Sequence, residues 1–152
     1  IIIGIILISM TVIVFKTLKE DDFQFKTLST TCSDFNISGN IAYNDTKSAI
    51  YITNIQYCGG EDTYEYKKIE CILYEAHKDT QKKISSYNYD SEKTIKLEEF
   101  LKDVTLTVDN YEKNCSDYQE DSLYLEIYAT NNDNKTISYK IPLMLNSCNT
   151  SK

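Results

Sequence analysis

Few residues in this sequence could carry nucleophilic or acid–base chemistry. His77 is the single histidine, and it lies beside Lys78 and Asp79 in a predicted polar turn. Cys71 is a nearby thiol, and a thiolate nucleophile needs a base within reach. However, Cys71 falls on the apolar, inward-facing positions of its predicted strand, which is typical of an inert buried thiol. We therefore expect His77 to be a solvated turn residue, and we assign no catalytic residue.

The residues that could bind a metal or a cofactor are equally sparse. One histidine and no Cys-x-x-Cys spacing argue against an ordinary zinc site. No glycine-rich phosphate loop occurs, and we expect no cofactor. Calcium stays open on ligand type alone, because a predicted loop carries five hard oxygen ligands, Asp109, Glu112, Asp117, Glu120 and Asp121. Their spacing matches no calcium-loop motif, and an acidic surface loop explains them better.

Five cysteines in a small domain of mostly strand character fit an oxidising compartment. Cys32 and Cys58 lie near the open end of the first predicted hairpin. Cys115 and Cys148 lie near the open end of the last one. Bridged Cα atoms must approach to about 5.5–6 Å, which paired positions in a hairpin allow. The spacing therefore predicts the disulfides Cys32–Cys58 and Cys115–Cys148, and it leaves Cys71 as a free thiol.

Strands must position these residues, because apolar side chains recur with period two along most of the chain. Turn signals follow roughly every 8–12 residues. The predicted strands are 35–43, 48–57, 66–75, 81–89, 94–97, 104–108, 122–130 and 136–145. One helical turn is predicted at 98–103, and the only proline, Pro142, would keep part of the last strand at an edge.

This pattern predicts an all-β domain, an antiparallel β-sandwich of immunoglobulin-like kind with 7–8 strands. A jelly roll or another β-sandwich is the alternative. The chain has no Trp and no central cysteine pair bracketing one. The similarity is therefore to an architecture and not to a family.

The chain opens with an uncharged apolar run, Ile1–Phe15, which Lys16 ends. As a helix this run would cover about 22 Å, whereas a bilayer core needs about 20 residues. We expect a transmembrane helix that begins before the first residue given. A signal peptide is the alternative, although no small-residue cleavage pattern follows. The predicted organisation is an anchor at 1–15, a stalk at 16–31, the β-sandwich at 32–148 and a tail at 149–152.

Charge narrows the class of partner. The net charge is −7, the sequence pI is about 4.7, and all 16 basic residues are lysine. An acidic surface without arginine argues against nucleic acid and against phosphate clamps. Together with the cysteines, it favours a single-pass protein of the cell membrane whose C-terminal domain lies outside the cytoplasm.

No convergent polar site is visible, so the predicted function is a non-catalytic extracytoplasmic binding module. The alternatives are a membrane-tethered enzyme and a secreted protein with a signal peptide. The candidate contact surface is the outward face of the third strand and the last two, which share one sheet in an immunoglobulin-like order. It comprises Ile72, Tyr74, Tyr124, Tyr128, Pro142 and Met144, with Glu126 and Lys140 among them. A protein or a cell-surface glycan would be the partner, unless these tyrosines only stabilise strands.

Overall fold

The computed structural model describes residues 23–60, 63–113, 118 and 122–145. Eight strands and one short helix make up this part of the chain, and every strand pairing is antiparallel. The elements are β1 (Gln24–Thr31), β2 (Phe35–Tyr43), β3 (Ser48–Tyr57), β4 (Tyr66–His77), β5 (Thr80–Ile95), α1 (Leu97–Leu101), β6 (Leu106–Tyr111), β7 (Leu123–Asn131) and β8 (Thr136–Leu145). The predicted all-β class and the helical turn are confirmed.

Three strands have the bounds that the alternating pattern predicts, namely β2, β3 and β8. The turn between β2 and β3 explains their register, because Asn44 Oδ1 accepts the backbone N–H groups of Thr46 at 3.0 Å and Lys47 at 2.8 Å. The predicted strands 81–89 and 94–97 are one long strand, β5, which continues without a turn through residues 90–93.

The strands form one nearly barrel-shaped sheet in the order β5-β4-β7-β8-β1-β2-β3-β6. The two terminal strands approach each other where Ser85 Oγ donates to the Thr107 carbonyl at 3.3 Å. The two halves that the sandwich prediction assigns to separate sheets are therefore joined into one sheet. The physical reason is β1, which pairs with both β2 and β8 and so joins the two halves.

β1 lies inside the segment predicted as a stalk at 16–31, so that assignment is wrong from residue 24 onward. All eight β1 residues pair with β2, and Leu28 is fully buried. Only Leu28 and Thr30 of this strand are buried, and the remaining side chains are exposed or half-buried. Such a weak apolar signal explains why sequence reasoning assigned these residues to a polar stalk.

Pro142 marks the place where β8 passes between the two halves of the sheet. The β1–β8 ladder contains only two residue pairs, at Met144 and Leu145. Proline has no N–H to donate, and the Thr30 hydroxyl lies beside it instead. Thr30 Oγ1 donates to the Pro142 carbonyl at 2.6 Å and accepts the Met144 N–H at 3.3 Å. The prediction that Pro142 leaves part of this strand at an edge is confirmed.

The core lies inside the curved sheet. The predicted inward positions of β4, β7 and β8 are buried or half-buried, including Cys71 at 0% exposure. α1 adds three buried side chains, Leu97, Phe100 and Leu101, and it contacts β3, β4 and β5. Each large apolar side chain buried in this way stabilises the fold by about 1.5–3 kcal/mol relative to its exposed state.

The predicted anchor, Ile1–Phe15, lies outside the described residues, as does the predicted tail at 149–152. Within the described residues, no helix has the length and apolar character needed to cross a membrane. The anchor and the location that it implies therefore stay predictions.

Candidate functional site

The predicted contact surface maps onto three neighbouring strands, β4, β7 and β8. Tyr74 on β4 lies opposite Tyr124 on β7, and Tyr124 lies opposite Pro142 on β8. Alternate residues of a strand share one face of its sheet, so the structure brings these side chains together as predicted. We call this surface the tyrosine face, and it comprises Ile72, Tyr74, Tyr124, Glu126, Tyr128, Lys140, Pro142 and Met144.

Two members of the tyrosine face are less accessible than expected. Ile72 is 4% exposed and Tyr124 is 3% exposed, whereas Met144 is 55% exposed. Tyr74 and Tyr128 are half-buried. A partner would therefore contact Tyr74, Tyr128 and Met144, while Ile72 and Tyr124 support them from below.

Tyr124 is enclosed by its cross-strand neighbours. The Tyr74 ring stacks on it with centroids 5.3 Å apart and an interplanar angle of 18°. From the β8 side, Lys140 Nζ lies 4.1 Å from the Tyr124 ring centroid, a cation–π contact worth about 0.5–2 kcal/mol. Burial raises the pKa of Tyr124, with smaller contributions from Glu126 and Tyr74. The buried Tyr124 hydroxyl has no hydrogen-bond partner among the described residues.

The carboxylate of Glu126 is already engaged on this face. Tyr128 donates its hydroxyl hydrogen to Glu126 Oε2 at 2.6 Å. That hydrogen bond is the first cause of a rise in the pKa of Tyr128 to about 12, and burial is the second. Glu126 lies opposite Lys140 on the neighbouring strand, but no ion pair joins these two side chains.

A hollow of about 430 Å³ opens beside Tyr124. Its described lining is Ala76 from β4, Tyr124 from β7, and Lys140 and Pro142 from β8. This volume is within the range of small-ligand sites. The described lining residues are two apolar ones, Ala76 and Pro142, and two whose side chains can donate hydrogen bonds, Tyr124 and Lys140.

Sequence reasoning missed a second polar cluster, which surrounds Glu75 inside the sheet. Glu75 continues the inward positions of β4 after Leu73 and is only 4% exposed. Lys113 forms an ion pair with its Oε1, and Tyr111 donates a hydrogen bond to its Oε2. Burial is the first cause of a raised pKa of Tyr111, and Tyr118 is the second. The sequence signal for this cluster was that Glu75 shares the inward-facing alternate positions of Cys71 and Leu73.

The Glu75 cluster links several elements at one end of the barrel. Lys113 Nζ lies 5.9 Å from the Tyr118 ring centroid, and the Tyr118 and Ser48 hydroxyls are 2.8 Å apart. Lys82 on β5 lies 5.0 Å from the Tyr111 ring centroid. Lys113 contacts one oxygen of Glu75 and Tyr111 donates to the other, but Oε1 accepts no hydrogen bond from the described residues.

The structure describes both cysteines of one predicted disulfide, Cys32–Cys58, and neither cysteine of the other. Cys32 and Cys58 are exposed and unbridged. Both lie at the turn between β1 and β2, where the Cys32 N–H donates to the Phe35 carbonyl at 2.9 Å and the Cys58 N–H donates to the Asp34 carbonyl at 2.7 Å. The Cys32–Cys58 bridge stays a prediction. Cys115 and Cys148 lie outside the described residues.

The predictions that Cys71 is a buried free thiol and that His77 is exposed to solvent are confirmed. Cys71 is fully buried without a bonded partner, and desolvation raises its pKa to about 12. His77 is exposed at the end of β4. No group of three metal-ligating side chains occurs within the residues that the structure describes, and three of the five candidate calcium ligands lie outside them.

Comparison of this chain with protein-family models, with curated proteins and with solved structures finds no match. Any functional conclusion therefore rests on the geometry of the chain itself. Two features carry such a conclusion, the tyrosine face outside the sheet and the Glu75 cluster inside it.

Proposed function

We propose that this protein is a non-catalytic binding module, anchored to the cell membrane by its N-terminal helix with the β domain outside the cytoplasm. The tyrosine face is the observation that carries this proposal. Three adjacent strands direct aromatic and apolar side chains outward, and Met144 among them is 55% exposed. Tyr74 and Tyr128 are half-buried beside it, and apolar side chains that reach the surface together often mark interaction sites.

A protein partner fits the tyrosine face better than a glycan does. Sugar binding through aromatic residues needs an open ring face, but Tyr74 covers one side of Tyr124 and Lys140 lies over the ring from the other strand. The accessible side chains, Tyr74, Tyr128 and Met144, are of types enriched in protein interfaces. A cell-surface glycan is the alternative partner.

A membrane-tethered enzyme is the second candidate, and the Glu75 cluster is the observation that favours it. A carboxylate, a lysine and two tyrosines converge there. A buried ion pair such as Glu75–Lys113 is more typical of a structural contact than of an active site. The binding module is therefore the better-supported function.

Site-specific photo-crosslinking in intact cells tests the binding face. A photoreactive benzophenone residue in place of Met144 should yield a discrete cross-linked product. The same residue at Thr53, which is exposed on β3, should yield none. Carbonate-resistant membrane association and digestion of the domain by external protease would test the anchor and the location.

Paired variants then show whether the tyrosines make the contact. The double variant Tyr74→Ser and Tyr128→Ser should lower the yield of the cross-link at residue 144 about tenfold, because both side chains are at the accessible surface. Tyr124 is left in place because it is buried. Tyr64→Ser is the matched control, since Tyr64 is 65% exposed and precedes β4. Equal cross-linking at 144 and 53, or no loss in the double variant, would refute a contact role.

A further inference from the structure

We propose that the hollow lined by Ala76, Tyr124, Lys140 and Pro142 binds a carboxylate group carried on an apolar stem. This inference rests on the proposed function, because the hollow is part of the tyrosine face. It adds the chemical class that the face recognises. We call this site the Tyr124–Lys140 pocket.

The first reason is an unsatisfied donor. Tyr124 lines the hollow, and its buried hydroxyl has no hydrogen-bond partner among the described residues. A buried polar group without a partner costs about 1–3 kcal/mol, and native structures retain few of them. A ligand oxygen that reached this hydroxyl from the hollow, through a small shift of the side chains that cover it, would accept the hydrogen and remove the penalty.

The second reason is a lysine ammonium that forms no ion pair with the described residues. Lys140 Nζ lies over the Tyr124 ring, 4.1 Å from its centroid, and forms no ion pair within the described part of the chain. Glu126 is its cross-strand neighbour, but that carboxylate accepts the Tyr128 hydroxyl at 2.6 Å. The described lining of the hollow contains no acidic residue.

These two donors are typical of a carboxylate site. An ammonium and a phenol can each donate a hydrogen bond to one carboxylate, and such charge-assisted bonds are about twice as strong as neutral ones. A phosphate group would favour the arginine fork, and this sequence contains no arginine. In a chain of net charge −7, a local cation is needed to hold any anion.

The remaining lining defines the stem of the ligand. Ala76 and Pro142 offer apolar surface next to the two donors. A hollow of about 430 Å³ is large enough for a carboxylate with an aromatic or branched aliphatic group. Two sources supply this chemistry, a free small acid and the carboxyl terminus of a protein partner.

Ligand-observed NMR with the full-length chain tests the pocket directly. The probe is 3-phenylpropionate, and its neutral isostere 3-phenylpropionamide is the matched ligand control. The acid should bind saturably and at least tenfold more tightly than the amide, because only the acid pairs with Lys140. Equal binding of acid and amide, or tighter binding of phenyl phosphate, would overturn the proposal.

Three variants place the binding at the two donors. Lys140→Gln and Tyr124→Phe should each weaken binding of the acid about five- to tenfold. Lys82→Gln is the matched control, because Lys82 also lies over a tyrosine ring, at 5.0 Å from Tyr111, and it should leave binding unchanged. Unchanged binding in Lys140→Gln, or an equal loss in Lys82→Gln, would contradict the assignment.

The melting temperature of Tyr124→Phe separates ligand binding from a structural role. Because the hydroxyl has no partner in the free protein, its removal should leave the melting temperature unchanged or raise it. A lower melting temperature together with unchanged acid binding would show that the hydroxyl supports only the fold.

Peptides separate the two sources of the carboxylate. A peptide that ends in Leu-Phe with a free carboxyl group is compared with its amidated form. Tighter binding of the free-acid peptide than of 3-phenylpropionate would indicate a partner's carboxyl terminus, and equal binding would indicate a small acid. If cross-linking at residue 144 persists while no acid binds, the pocket fails and the proposed function stands. If cross-linking fails while the acid binds, only the proposed function fails.

Discussion

At the scale of single residues, Glu75 shows what it takes to place a carboxylate inside an apolar sheet. The side chain occupies an inward position of β4 and is 4% exposed. An isolated buried charge is strongly unfavourable. Here Lys113 and Tyr111 contact its two oxygens, and these contacts tie the segment after β6 to β4.

This pairing predicts a large effect of removing the lysine alone. Lys113→Met should lower the free energy of unfolding by roughly 3 kcal/mol, because it leaves Glu75 buried without its cation. The double variant Glu75→Met and Lys113→Met should be less destabilised than the single one, since no charge is then buried. Urea unfolding curves of the three proteins measure both effects.

Lys102→Met is the matched control for this cycle. Lys102 pairs with Glu98 on α1 at 3.2 Å, but both side chains are exposed. Its removal should change the free energy of unfolding by less than about 0.5 kcal/mol. If Lys113→Met lowered the free energy of unfolding no more than Lys102→Met does, the Glu75 ion pair would not stabilise the fold.

Tyr128 provides a test of the hydrogen bonding on the tyrosine face. Its ordinary pKa is 10.0, and the bond to Glu126 raises it to about 12. Glu126→Gln should therefore return the pKa of Tyr128 toward 10, as followed by NMR of the tyrosine ring carbons. Because the folded pKa is the higher one, this bond stabilises the fold fully below pH 10, and its contribution is lost as the pH rises through 12. An unchanged Tyr128 titration in the variant would contradict the assignment.

At the scale of elements, β2 and β3 approach each other closely at a bulge. Their register shifts between Ser38 and Gly39, and Gly39 lies opposite Ile52. A Cβ at residue 39 would overlap the Tyr51 carbonyl oxygen and lie 3.0 Å from the Ile52 Cα. Only glycine therefore lets the two backbones meet here.

Gly39→Ala should lower the free energy of unfolding by about 1–3 kcal/mol, as overpacking of a well-packed site does. The obstacle is backbone, which cannot rotate away as a side chain can. Gly60→Ala is the control, because no atom lies within 4 Å of a Cβ added there. Equal urea midpoints for the two variants would mean that the strands can separate without cost.

At the scale of the whole molecule, period-two patterning predicted the strands but not how they join. Local alternation sets which side of a strand is buried, so β2, β3 and β8 were found at their observed bounds. Closure of the sheet depends on β1, whose only buried residues are Leu28 and Thr30. Two buried positions in eight give too weak a pattern to recognise from sequence.

In the candidate site, too, local alternation predicted some features, whereas others depend on contacts between strands that are distant in sequence. Strand parity predicted which side chains share the tyrosine face, because it depends only on alternation and on β4, β7 and β8 being neighbours. The burial of Tyr124 depends on Tyr74 and Lys140 from two other strands. The Glu75 cluster depends on Tyr111 and Lys113 from the end of β6 and the segment beyond it. Neither arrangement has a local sequence signal.

The role of β1 can be tested with two truncations that differ by one strand. Deletion of residues 1–22 ends before β1 and should leave a soluble domain that unfolds cooperatively in urea, because the described core begins at Leu28. Deletion of residues 1–31 removes Leu28 and the Thr30 bonds to Pro142 and Met144, and it exposes the facing edges of β2 and β8. An open pair of strand edges favours aggregation, so the shorter protein should lose its cooperative transition or aggregate. A stable, monomeric protein without residues 1–31 would restore the original stalk assignment, and an unfolded protein without residues 1–22 would assign a structural role to the N-terminal segment.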